Sequence, residues 1–191
     1  MGSGIYSPSP PKGPLRQGEI LSDLKQPIPR SAYHNSEEIM VDFIEHPYTI
    51  VVSQDCDLDW DYKARQEEGK ASKLLPNILF CEVVSAQNLR NSDSINSDLW
   101  RRIRINKDER YQFLQTIPSE EDALRQGIPE FGIDFKRYFT LRTDDVYAAL
   151  ASNTAQRRSR LISPYLEHLS TRFAYYQFRV ALPSDHESEP V

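Results

Sequence analysis

Four aspartates, Asp55, Asp57, Asp59 and Asp61, recur at every second position, with Cys56 between the first two and Ser53-Gln54 just ahead. Carboxylates this dense can gather around a hard cation. Asp57, Asp59, Asp61 and Glu68 occupy the first, third, fifth and twelfth positions of a calcium-loop pattern. Tyr62 stands where that loop's sharp turn demands glycine, so no metal is assigned. A looser magnesium or calcium site from Asp55, Asp57 and Asp59, pairing with nearby arginines, and a solvated loop stay open as alternatives. Cys56 is a nucleophile by type, but flanking carboxylates oppose the thiolate and no base stands at a matching spacing. It reads as a buried structural cysteine at a strand end. Gln54, Asp55, Cys56 and Asp57 are together expected on a rim that a partner can reach.

The other reactive types are scattered. His34, His46, His168 and His186 do not pair at ligand spacing, and phosphate-binding glycine loops, CxxC pairs, HExxH and GxSxG are all absent. No cofactor is expected. Trp100, Arg101, Arg102, Arg104, Arg110 and Tyr111 mix cations with aromatics, the combination that contacts phosphates and stacks on bases of a single strand. Arg157, Arg158 and Arg160 form a second basic segment, yet the net charge of -5 argues against a surface coated for nucleic acid.

The elements that position these groups follow from pattern. The 191 residues suit one domain. Residues 1–14, rich in Pro, Gly and Ser, are expected to be disordered, 15–183 to form the globular unit and 184–191 a polar tail. A strand at 17–21 is expected to stop before Pro27 and Pro29. A second, at 39–44, is expected to end in a sharp corner at His46-Pro47. The third runs from Tyr48 to Ser53, its β-branched centre Thr49-Ile50-Val51-Val52 reading as buried. Residues 61–73 suit an exposed loop or short helix, 78–84 a buried strand, and 100–115 a hairpin turning near Asn106-Lys107-Asp108, whose first arm could equally be a helical turn. A strand over 132–141 precedes two helices. Thr143 is the expected N-cap of the first, and Ser163 caps the second, which presents Tyr165 or Leu166, Leu169, Phe173 and Tyr176 to the core. With no apolar stretch of membrane length and no export signal, the expectation is a cytosolic protein with Cys56 and Cys81 as free thiols.

This order of elements resembles a family. Gln17-Gly18-Glu19-Ile20-Leu21-Ser22-Asp23-Leu24 looks like the opening Gly-Asp-Ile-Val strand of the MazF and PemK type toxins. His46-Pro47 with the strand to Ser53 is similar to their Arg-Pro and following strand. Leu79 to Ser85 and Phe131 to Leu141 resemble two later strands. The resemblance spans about residues 17–150. It implies an α+β fold: a small, strongly bent antiparallel SH3-like β-barrel with C-terminal helices packed on it.

It also implies metal-independent cleavage of single-stranded RNA by an endoribonuclease-type toxin, or a degenerate relative of one. A protein partner such as an antitoxin and a homodimer come with it. His46, Ser85 and Ser53 would then be the catalytic set, with Arg101, Arg102, Arg104 and Arg110 holding RNA. His46 replaces the family's arginine, which removes a permanent phosphate clamp while keeping a group that moves protons near neutral pH. The competing expectation is a non-enzymatic protein-interaction module using the same rim and the acidic loop.

Overall fold

The computed structural model describes residues 4–30, 40–67 and 70–179; His34, Glu68, His186 and the tail at 184–191 lie outside them. Among these residues the strands are β1 Tyr6–Pro8, β2 Glu19–Arg30, β3 Met40–Val51, β4 Asn77–Ser85, β5 Tyr111–Leu114, β6 Phe131–Arg142 and β7 Gln156–Leu161. The helices are α1 Asp55–Ala64, α2 Ala86–Arg90, α3 Ser97–Arg104, α4 Thr143–Ala151 and α5 Tyr165–Gln177. The fold is α+β, with one antiparallel sheet in the order β1-β7-β2-β3-β4-β6-β5.

Both faces of the sheet are covered, which explains the uninterrupted apolar runs. Ile50 packs with Ile20, Cys81, Ile133 and Phe135 beneath Leu169 and Tyr176 of α5. Its neighbour Val51 points the other way, to Leu21, Phe80 and Ile78 beneath Leu58 of α1 and Val146 of α4. A third cluster joins Leu89 of α2 and Ile103 of α3 to Tyr111 of β5. On α5, Leu166 and Phe173 join Leu169 and Tyr176 against the core as the helical spacing requires, while Tyr165 is 37% exposed.

The ladder does not close on itself, because β1 and β5 remain its edges. The sheet nevertheless bends until they approach: the Tyr6 hydroxyl donates to the Gln115 carbonyl at 2.7 Å, just beyond β5. The proline-rich opening, expected outside the fold, thus supplies β1, and Ile5, Tyr6 and Leu15 are buried.

Several boundaries differ from expectation for identifiable reasons. β2 continues through Pro27 and Pro29, paired with Phe43 and Val41, because beyond Ser22 it has lost β7 and become an edge strand, where proline is tolerated. No corner forms at His46-Pro47; β3 is continuous, and Asp23 absorbs the irregularity opposite Pro47 with φ 64°. The acidic run is the first part of α1, not a loop, with Asp55 and Asp57 placed favourably at the positive end of the helix. The first arm of the expected hairpin takes its helical alternative, within Ser97–Arg104, and only Tyr111–Leu114 is a strand. The Thr143 hydroxyl donates to the Leu75 carbonyl at 2.5 Å instead of capping α4, and the expected cap Ser163 precedes Pro164, which stands at the N-cap of α5. β7, with three arginines in six residues, has no counterpart in the sequence reading.

Candidate functional site

β3 and β4 share only three pairs, Thr49 with Glu82, Ile50 with Cys81 and Val51 with Phe80. Before Thr49, β3 leaves with β2 as a two-stranded ribbon; after Glu82, β4 stays with β6. The strands splay, and the wedge between them is a cleft of ≈ 520 Å³ lined by His46, Tyr48, Glu82, Ser85, Asn88 and Arg137 among others. A second irregularity aims a cation into it. The β4–β6 register jumps from Cys81 opposite Tyr138 to Glu82 opposite Asp134, so Phe135, Lys136 and Arg137 bulge out of the ladder.

A chain of polar contacts crosses the cleft. Arg110 grips the buried Asp134 through two parallel bonds of 2.8 and 2.6 Å. Arg137 stands 3.8 Å from Asp134 and donates to Glu82 at 3.0 Å. Glu82 in turn lies 3.5 Å from Nδ1 of His46. Nε2 of His46 meets the Gln26 side-chain oxygen at 3.1 Å, and the imidazole lies flat on Phe139, with centroids 3.9 Å apart. Only 4% of His46 is exposed. Burial holds its pKa below the ordinary value, with Glu82 pulling partly back. A neutral imidazole donates from one nitrogen only; rotating the Gln26 amide to present its NH2 to Nε2 would satisfy it.

Of the expected catalytic set, His46 and Ser85 share this cleft and Ser53 does not. Ser53 lies beyond the far end of β3, where its hydroxyl accepts from the Leu79 N–H at 2.8 Å. From His46 to Val51 alone the strand covers roughly 17 Å. The Ser85 hydroxyl caps α2 by accepting from the Asn88 N–H at 3.2 Å. Gln54, Asp55, Cys56 and Asp57 gather with Ser53 at the start of α1. Asp55 accepts from the Gln17 N–H at 2.8 Å, and Asp59 pairs with Arg16 and Lys63. Asp61 is fully buried and accepts from Arg65 and the Leu75 N–H. These carboxylates fan around a helix, and among the described residues no three His, Cys, Asp or Glu side chains converge as metal ligands.

Cys56, expected to be buried, is exposed on the first turn of α1, whereas Cys81 is buried; both thiols are free. Among the basic residues, Arg101 pairs with Asp98, Arg102 with Asp108 and Arg110 with Asp134. Glu82, Arg137 and Gln26 escaped the sequence reading. Arg137 reaches the cleft only through a bulge, for which the alternating pattern carries no signal.

Among the described residues no helix is long and apolar enough to cross a membrane. No family model matches the chain, and a search of curated proteins finds no match.

Proposed function

We propose that this protein is a MazF/PemK-like, opened form of an SH3-like barrel that binds instead of cutting, a cytosolic interaction module whose β3–β4 cleft takes an extended segment of a protein partner. The observation that carries the reading is the divergence of β3 from β4 beyond Thr49 and Glu82. In the sheet order, β2 occupies one edge of β3 and β6 one edge of β4, so the two remaining edges face each other across the cleft. Unpaired strand edges bind extended chains through main-chain hydrogen bonds, with side chains adding selectivity. The ribbon supplies apolar contacts: Val41, Phe43 and Ile44 are 45%, 59% and 41% exposed, and Ile44 lines the cleft itself. His46, buried and engaged at both nitrogens, serves as the post that holds the ribbon to Glu82.

The test is selection from a library of extended peptides, followed by titration into the isotope-labelled protein. Selected peptides should shift the amide resonances of residues 44–46, 48 and 83–85, Pro47 having no N–H. Methylating alternate peptide nitrogens should abolish binding, and Ile44→Asp should weaken it at least tenfold. Binding insensitive to backbone methylation would refute the reading.

One observation favours the ribonuclease reading: Arg137 brings the cleft a permanent cation in place of the arginine missing before Pro47. Incubation with mixed single-stranded RNA decides between them. Metal-independent cleavage lost in Arg137→Ala and His46→Ala would replace the binding reading with a catalytic one.

A further inference from the structure

The last helix ends beside the β3–β4 cleft. The Tyr176 ring lies 6.0 Å from that of Phe135, and the Phe173 ring 6.2 Å from that of Tyr138. The final turns of α5 therefore flank the bulge that sends Arg137 into the cleft. Phe178 closes the helix with 80% of its surface exposed, and the Arg179 guanidinium folds back to 3.7 Å from the centre of the Tyr176 ring. Residues 180–191 follow. Fully extended, these twelve residues span at most about 40 Å. The open edge of β3 from Ile44 to Tyr48 needs only about 13 Å.

The composition of that segment suits a strand edge. Val180 and Leu182 continue a two-residue apolar period begun at Phe178, and Pro183 ends it. The cleft offers them Ile44 and Val84, neither fully buried. Beyond Pro183 come Asp185, Glu187 and Glu189, with no lysine or arginine. The cleft's own carboxylates are matched, Glu45 by Lys25 and Glu82 by Arg137, and Lys136 stands exposed on the bulge as a cation for the acidic end. The ribbon's other free edge is closed to a strand, because Pro27 and Pro29 of β2 turn their missing N–H positions outward.

We propose that residues 180–183 join the open edge of β3 as an added strand, so that the chain screens its own cleft from other partners. This rests on the reading of the cleft as a site for an extended chain and names the segment that competes for it. A tethered segment meets its site at an effective concentration of about 1 mM. An intrinsic Kd of about 0.25 mM then keeps the cleft about 80% closed and weakens any competing peptide about fivefold.

The probe is a synthetic peptide of residues 178–191. It is titrated into the isotope-labelled full chain and into the full-chain variant Val180→Asp/Leu182→Asp, whose substitutions lie outside the described core. In the variant the peptide should shift the amide resonances of residues 44–46, 48 and 83–85. It should bind the unsubstituted chain about fivefold more weakly, because that chain's own tail holds the site. Without peptide, the same resonances should already differ between the two chains. No shift in the variant at millimolar peptide would overturn the proposal, as would equal affinity for both chains. Differences between the chains that vanish on dilution would overturn it too, by placing the tail in a second copy. If library-selected peptides still bind the cleft, that failure leaves the cleft reading intact; if they do not, both fall.

Discussion

Substituting Asp122 by alanine should be among the most damaging single changes in the molecule. Asp122 is fully buried and Arg158 is 4% exposed. They are joined by parallel bonds of 2.9 and 2.8 Å, and the carboxylate also accepts from the N–H groups of Leu124, Gln126 and Gly127. Asp122→Ala strands a guanidinium inside the protein and frees three backbone donors. Breaking one side of a buried pair costs about 3–5 kcal/mol. For a chain of this length each kcal/mol shifts Tm by about 2–4 °C, so a loss of about 6–20 °C is expected. Burial works against the charged carboxylate, but Arg158 and the backbone donors outweigh it and hold its pKa below the usual range. Its contribution is therefore present above the unfolded value, about pH 4, and lost as pH falls through the folded one. Urea unfolding of Asp122→Ala, Arg158→Met and the Asp122→Ala/Arg158→Met double variant measures the coupling. The double variant should cost less than the sum of the singles, because no charge is left alone. An Asp122→Ala loss under 1 kcal/mol, or additive singles, would refute the reasoning.

Acidification supplies an independent check. His46 and His168 are both held below the ordinary histidine value, His46 by burial and His168 by burial and Arg172. Below about pH 6.5 the unfolded chain binds more protons than the native one, so unfolding free energy should fall, by at most about 1.4 kcal/mol per pH unit for the buried His46 and by less for the exposed His168, which solvent screens; urea midpoints that rise between pH 7 and 5.5 would contradict this. Gly18→Ala should cost about 1–2 kcal/mol, since Gly18 has φ +75° and a Cβ there would meet the Leu161 Cβ at 3.2 Å; thermal melts read the loss. Phe80→Ala should cost about 3–5 kcal/mol in chemical denaturation, since Phe80 is fully buried and stacks on Phe139.

The strands legible in the sequence are those whose side chains follow the solvent pattern. β4 and β6 stand where the apolar runs placed them, and Thr49 to Val52 is as buried as its composition implied. β7 was invisible because its arginines lie inside: Arg157 is neutralised by the buried Glu19 at 2.7 Å and Arg158 by Asp122. Partners 138 and 36 residues away cannot be read from local pattern. The aspartate series misled for the opposite reason. Its every-second spacing reads as an extended chain, but Leu58, Asp61 and Ala64 are buried at helical intervals along α1. In the cleft, His46 and Ser85 came from chain order, while Glu82 and Arg137 needed the splayed strands and the bulge to meet.

The pairing of Tyr6 with Leu161 and of Pro8 with Ser159 bears on how the molecule is made. β1 comes first among the described strands but cannot pair until β7, which follows all the others, has been made. Until then the edge of β2 that β7 will cover is open, and Arg157 is not yet available to Glu19. Such distant pairings slow folding and prolong the exposure of edges. The pairing of β7 with β1 and β2 should therefore be a late event in the folding of the sheet.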